Sequence, residues 1–177
     1  MRQLKLYLLL SLITLASCKN EVQVVQEDSP RDGNKKSETL IKMNNYVAKR
    51  NQELVAQFVK RTGLAMTETG SGLWYGVYSK GLGNKVESGD IVSISYKLRL
   101  LDGTLVDSVS SSKPKEFQAG KGGVEAGLEE GILFLHEGDS ARFIIPPHLA
   151  HGNFGDQGKI PPGAFLFYDL CLMRIKP

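Results

Sequence analysis

The sequence predicts an α+β protein: an antiparallel sheet with one short helix, preceded by one long amphipathic helix. Apolar residues recur at helical spacing over about twenty-five residues from Ser37 to Arg61. Beyond Leu73, short apolar runs alternate with polar residues and are broken by Gly, Pro and an Asp-Gly turn. Most of the 19 glycines fall after Thr62, which makes the second part turn-rich. A long helix followed by consecutive strands points to segregated α and β elements with an antiparallel sheet.

The bulk numbers fit one domain with an appendage. The chain has 177 residues, of which 41% are hydrophobic and 23% charged, enough apolar content for a real core. The formal charge is +3. Removing Arg2 and Lys5 takes 22 basic residues to 20 against 19 acidic ones, a net of about +1. No basic run interleaves with aromatics, so nucleic acid is not an expected partner.

The first elements concern targeting. Arg2 and Lys5 precede an apolar run from Leu6 to Ala16, too short to anchor across a bilayer and suited to a secretory signal over residues 1–17. A buried N-terminal helix would need an amphipathic period, and none is visible. Leu15-Ala16-Ser17-Cys18 resembles the lipobox of bacterial lipoproteins. That resemblance implies that Cys18 becomes the first mature residue, acylated on sulfur and amino group by chains such as palmitate. Several acyl chains anchor a protein stably where one binds reversibly. The implied location is the cell envelope, lipid-anchored to a membrane and facing the periplasm. Lys19 argues mildly against the inner-membrane retention that Asp there would imply, and the sequence leaves the membrane open. Cys171 is then the one remaining cysteine, so no intrachain disulfide is expected.

Residues 18–36 are polar, with Pro30 and Gly33, and read as a flexible tether. The helix follows over 37–63, with Ser37 as N-cap and Gly63 as stop. Leu40, Met43, Val47, Leu54 and Phe58 form its apolar stripe, widened by Ile41, Val55 and Val59. Two partners for that stripe stay open: its own domain, or the same helix (37–61) of a second copy in a homodimer. Thr67 to Gly72 reads as a small-residue linker. Strands are expected at Leu73–Val77, Ile91–Leu100, from Leu105-Val106 after the Asp102-Gly103 turn, Ala141–Ile145 and Ala164–Ile175. Val124 to Leu135 reads as a short helix between glycines.

From about Leu73 to Pro177 the phrases fall in a telling order. They are Gly89-Asp90-Ile91-Val92, Tyr96, Asp102-Gly103, Val106-Asp107-Ser108, Phe117-Gln118-Ala119-Gly120 and Gly127-Leu128-Glu129-Glu130-Gly131. Glu137-Gly138-Asp139, Pro147-His148-Leu149-Ala150-His151-Gly152, Ile160-Pro161-Pro162 and Leu166-Phe167-Tyr168-Asp169-Leu170 complete the series. Together they resemble the FKBP-type peptidyl-prolyl cis-trans isomerase domain, here over residues 73–177. The resemblance implies an antiparallel sheet wrapped around the short helix, with an apolar pocket between them. It implies rotamase activity on proline-containing polypeptides, with no cofactor and no metal.

The same resemblance implies roles residue by residue. Tyr96 is a pocket wall whose hydroxyl bonds within the site, and Asp107 is the carboxylate near the twisted carbonyl. Val106 is a wall and Phe117 a floor or core position. Val124 donates its backbone N–H to substrate, Leu128 forms the pocket base, and His151 stands where a hydrogen-bonding Tyr is common. Ile160 and Tyr168 close the far wall. Taken as residue types alone, Tyr96 and Tyr168 also suit ordinary strand core, Asp107 a turn, and His151 a loop. The chain departs from the family where Val106 replaces an aromatic, Leu128 a Trp and Glu125 an apolar residue. Fewer aromatics weaken the expectation of high turnover and of macrolide binding. His136, His148 and His151 stand twelve and three apart, a spacing that suits no standard metal site. Gly120 to Gly123 lacks the Gly-Lys-Ser/Thr of a phosphate loop.

Two functions are therefore expected to compete. One is an isomerase assisting the folding of envelope proteins, including gliding-motility components by analogy with isomerase lipoproteins of gliding bacteria. The other is a non-catalytic binding or chaperone module that uses the same pocket.

Overall fold

The computed structural model describes residues 33–177, with side chains from residue 37 onward. The segment 1–17, Cys18 and most of the tether 18–36 lie outside the described residues. The chain divides into 1–40 and 41–177, and the second unit holds the sheet and the site.

Helix α1 spans Gly33–Thr62, so it starts ahead of the expected cap and Ser37 lies inside it. Lys35 and Lys36 are good helix formers and no proline separates them from Ser37, so nothing local stops the helix there. It ends at Gly63, whose φ of 66° is the left-handed conformation that glycine adopts without Cβ strain. The apolar stripe is divided. Val55 is 1% exposed, and Phe58 and Val59 are half-buried. Leu40, Met43, Val47 and Leu54 are 43–58% exposed. The Phe58 ring sits 6.1 Å from that of Phe167, so the helix meets the sheet through its C-terminal end.

The expected linker contains a strand. β1 (Thr67–Glu68) pairs with β2 (Trp74–Ser79) in register Thr67↔Tyr75. The hairpin closes through Thr69 N–H to the Leu73 carbonyl at 2.8 Å. Small polar residues gave that segment a loop-like composition, whereas its backbone pairing is dictated by the strand opposite. β3 (Ile91–Leu100), β4 (Leu105–Val109), β5 (Lys115–Gln118), β6 (Ser140–Ile145) and β7 (Leu166–Lys176) complete a seven-stranded sheet. Its order is β1-β2-β6-β7-β3-β4, with β5 also on β3, and every pairing is antiparallel. β3 is the spine. One edge pairs with β7 along its whole length, while the other serves β5 through Ile91–Ile94 and β4 through Tyr96–Arg99.

Period-two patterning puts one face inside. Val92, Ile94, Tyr96 and Leu98 of β3 are buried, as are Leu166, Tyr168, Leu170 and Leu172 of β7. Helix α2 (Ala126–Ile132) is shorter than the expected Val124–Leu135. Glu125 caps it in an extended conformation, and the residues after Ile132 continue as turns, Phe134 N–H to Gly131 O and Leu135 N–H to Ile132 O. Two glycines four apart press this helix on β6. A Cβ on Gly127 would fall on the Ile145 side chain, and one on Gly131 would lie 2.7 Å from the Phe143 ring. Leu128 and Ile132 are wholly buried as a result, each worth roughly 1.5–3 kcal/mol of transfer free energy.

Candidate active site

The alternation that buries Tyr96 and Tyr168 also brings their rings together. Tyr96 stands opposite Leu170, and Leu98 opposite Tyr168, on adjacent β3 and β7. The two tyrosine rings meet edge to face at 5.2 Å, a geometry aromatic quadrupoles favour. Around them opens a cavity of about 270 Å³. Tyr96, Leu98, Val106 and Asp107 line it from β3 and β4, and Tyr168 from β7. Lys115 comes from β5 and Glu125 from the cap of α2, while His151, Asp156, Lys159 and Ile160 come from the loop before β7.

Each tyrosine hydroxyl serves a carboxylate. Tyr96 donates to Asp107 Oδ2 at 2.7 Å, and the Ser108 N–H donates to Oδ1 at 2.8 Å. Asp107 is thereby held below the usual carboxylate range, first by the Tyr96 hydroxyl, against a desolvation cost. Ser108 N–H, Lys115 and Lys159 add to the effect. Burial and the facing carboxylate push Tyr96 up, so the pair consists of a neutral phenol and an ionised carboxylate. Tyr168 donates to Glu125, with both carboxylate oxygens at 3.1 Å. Burial and the Glu125 charge raise Tyr168 far above an ordinary phenol.

The rim is polar and braced. Lys159 Nζ donates to the Val106 carbonyl at 3.1 Å, linking the loop to β4. Asp156 accepts the N–H groups of Gly158 at 2.8 Å and Ile160 at 2.7 Å, which shapes the loop carrying Ile160. His151 Nε2 lies 3.4 Å from Glu125 Oε1. His148 and His136 face other partners, the Ser71 carbonyl at 2.9 Å and Asp139 at 3.7 Å.

Of the residues singled out from sequence, the structure gathers Tyr96, Val106, Asp107, His151, Ile160 and Tyr168 on one cavity. It leaves three others off the lining. Phe117 is half-buried on β5 opposite Val92, and Val124 is half-buried against the core. Leu128 is entirely enclosed. The close approach of α2 to β6 turns Leu128 inward, and Glu125, one helical turn earlier, faces the cavity in its place. Lys115, Lys159, Asp156 and Leu98 line the cavity but were not among the expected residues. A lysine in a loop looks like any solvated lysine until the chain folds. Larger concavities, of about 750 and 580 Å³, lie between the middle of α1 and the loops around Gly70 and Pro147. They are lined largely by Asn, Gly and other small or polar residues, with His148 in both, and lack paired carboxylates.

The model of the FKBP-type peptidyl-prolyl cis-trans isomerase family matches residues 83–173, half of the chain, covering β3 to β6, α2 and most of β7. The chain belongs to this family. A probable FKBP-type peptidyl-prolyl cis-trans isomerase, FkpA, of Neisseria meningitidis serogroup B is 37% identical over 131 residues, covering 72% of this chain and 47% of that protein. FkpA of Escherichia coli K12 is 35% identical over 127 residues, covering 71% and 45%. The chain thus spans just under half the length of these relatives. The crystal structure of E. coli FkpA superposes with a TM-score of 0.63 at 32% identity, covering 80% of this chain and 66% of that one. That of AtFKBP13 gives 0.60 at 28% identity, covering 64% of this chain and all of the other. The FKBP-like fold, antiparallel sheet plus short helix, is the one expected. Among the described residues, no helix is long and apolar enough to cross a membrane.

An FKBP-type cavity acts without a nucleophile. Rotation about an amide costs ~18–20 kcal/mol through lost resonance, and X-Pro exchange takes tens of seconds or longer. A wall that holds proline twisted accelerates exchange tenfold for each ~1.4 kcal/mol of differential binding. Here Val106, Leu98, Ile160 and the two tyrosines supply apolar wall, and Asp107 supplies a fixed negative charge.

Proposed function

We propose that this chain is a peptidyl-prolyl cis-trans isomerase that assists the folding of cell-envelope proteins. The observation that carries it is the Tyr96–Asp107 pair set in the mouth of a cavity floored by Tyr168 and closed by Ile160. The site comprises Tyr96, Asp107, His151, Ile160 and Tyr168, with Val106 as wall and Phe117, Val124 and Leu128 in support. Exchange of a proline peptide, measured on the full chain beside Asp107→Leu, tests the reading. The parent should accelerate exchange and the variant should lose about tenfold or more, the loss of ~1.4 kcal/mol of transition-state binding. A folded parent that leaves the rate unchanged ends the enzymatic reading.

The proposed domain plan is a signal segment 1–17, a tether from residue 18 that gives way to the helix Gly33–Thr62 ahead of the expected 37–63, and an isomerase domain over 73–177. The Leu-Ala-Ser-Cys sequence supports lipid attachment at Cys18 and a periplasm-facing envelope location. Labelled palmitate incorporated by the parent but not by Cys18→Ser would bear this out. Gliding-motility components are the finer choice of substrate, supported by a lipobox-like sequence ahead of an isomerase domain. Loss of colony spreading on deletion tests that choice. The exposed Leu40, Met43, Val47 and Leu54 support a homodimer through helix 37–61, which sedimentation equilibrium would detect.

The second reading, a non-catalytic FKBP-like binding or chaperone module, draws support from the charges in the cavity wall. Lys115, Glu125 and Lys159 line it beside only a few apolar groups. A pulldown partner retained by Asp107→Leu, with no catalysis in either protein, would favour this reading.

A further inference from the structure

The ionisable groups of the cavity are unevenly compensated. Asp107 has two lysines acting on it, Lys115 and Lys159, besides the Tyr96 hydroxyl and the Ser108 N–H. Glu125 is placed otherwise. Its side chain is 14% exposed, and among the described residues the one potential cation within ion-pair distance is His151, charged only when protonated. Its hydrogen-bond donor is a single hydroxyl, that of Tyr168, shared between both oxygens at 3.1 Å. A carboxylate has about four acceptor positions, so most of the capacity of Glu125 is unused. Asp156, a second carboxylate, lies on the same rim and interacts electrostatically with His151. The Glu125 end of the cavity is therefore anionic whenever His151 is neutral, and it borders the apolar wall formed by Ile160 and Tyr168.

We propose that Glu125 is a specificity-determining residue that selects proline segments carrying a basic side chain beside the proline. This rests on the isomerase reading of the same cavity. A lysine or arginine on the residue flanking a bound proline would donate to the free lone pairs of Glu125, a charge-assisted bond in a partly desolvated site. An acidic side chain there would face Glu125 and Asp156 and be rejected, which is discrimination by repulsion as well as attraction. Lys115 and Lys159 do not cancel this preference, because both act electrostatically on Asp107 and Lys159 is tied to the Val106 carbonyl.

The test uses the full chain and short peptides X-Pro and Pro-X, with X as lysine, norleucine (its uncharged straight-chain analogue) or glutamate. Catalysed exchange gives kcat/KM, and calorimetric titration gives Kd for the same peptides. The ratio of lysine to norleucine should be about five- to tenfold in one of the two series, with glutamate below norleucine. It should shrink at high salt and fall to about one in Glu125→Gln, which keeps an acceptor for Tyr168. Lysine and norleucine equal in both measurements, or a ratio untouched by Glu125→Gln, would overturn the proposal. So would a preference for glutamate, which would mean that the lysines govern the cavity. A lysine preference in Kd with no catalysis by any peptide would retire the isomerase reading and leave the selectivity standing. If no peptide binds, both fall.

Discussion

Two tyrosine–carboxylate pairs stand side by side on β3 and β7, and they perform different tasks. Tyr96–Asp107 lies at the sheet margin, where Asp107 is exposed, accepts from a hydroxyl and a backbone N–H, and is influenced by the charges of two lysines. Tyr168–Glu125 lies deeper, with Tyr168 1% exposed and its hydroxyl reaching the cap of α2. In the first pair the surroundings fix a charge at the mouth of the cavity. In the second, the hydrogen bond ties the short helix to the sheet while leaving a carboxylate short of partners. The same two functional groups give a fixed charge in one place and a structural link with spare acceptor capacity in the other.

Removing each ring separates the two tasks most widely. Tyr168→Ala should cost ~3–5 kcal/mol, the range for deleting a fully buried aromatic. Tyr96→Ala should cost less, because its hydroxyl end faces the cavity and water can enter the space. Urea unfolding at constant m-value checks this, and equal midpoints for the two variants would contradict the contrast. Removing only the hydroxyls should keep the order at smaller size. Tyr168→Phe leaves Glu125, mostly enclosed, without its donor, a loss of ~1–3 kcal/mol. Tyr96→Phe leaves Asp107 with the Ser108 N–H and solvent, and should cost about 1 kcal/mol or less. A larger loss for Tyr96→Phe would show that the mouth, not the helix link, carries the stability.

The first pair is more legible in sequence than the second. Tyr96 sits in an alternating run, and the family resemblance put both it and Asp107 at the site, although by residue type alone Asp107 also suited a turn. Glu125 stood out as a charge where the family has an apolar residue, yet nothing in the sequence said that Tyr168, forty-three positions away, would give it a hydroxyl. Lys115 and Lys159 were invisible for a physical reason: they come from separate segments and meet only because β5 and the loop before β7 both border β3 and β4. The hairpin Thr67–Leu73 was hidden by its small polar residues, since a strand of two residues has no period to read. The family resemblance makes Leu128 the pocket base, and in the structure Gly127 and Gly131 bring the helix so close to β6 that Leu128 is enclosed. The stripe on α1 was legible and its division was not, because sequence shows which face is apolar but not how far the sheet extends beneath it.

Acid and base should each weaken the first pair, from opposite ends of the pH scale. Asp107 is held below its unfolded value, so its contribution is complete above pH ~4 and is lost as pH falls through its folded value. Tyr96 is raised, so the neutral phenol contributes below pH ~10 and that contribution disappears as pH rises through the folded value. Between pH ~5 and ~9 the pair should therefore add a constant amount to stability. Measured as the difference between parent and Tyr96→Phe across that interval, a slope would mean that some other titrating group governs the pair.

The smallest expected effect isolates the lysines. Lys115 and Lys159 come after the Tyr96 hydroxyl and the Ser108 N–H among the influences that lower Asp107. Replacing both lysines with Met should raise the Asp107 titration point only part of the way to an ordinary carboxylate, and should leave the hydrogen bond from Tyr96 in place. Electrostatic influences between exposed groups are weak and screened by salt, so the parent's titration point should itself move up in concentrated salt while that of the double variant stays still. Carbon-detected NMR of the Asp107 carboxyl carbon reads both. If the variant reached the ordinary range while the Tyr96 bond persisted, the lysines and not the tyrosine would hold the charge. The cavity mouth would then be an electrostatic device, and its contrast with the Glu125 end would rest on counter-charge alone.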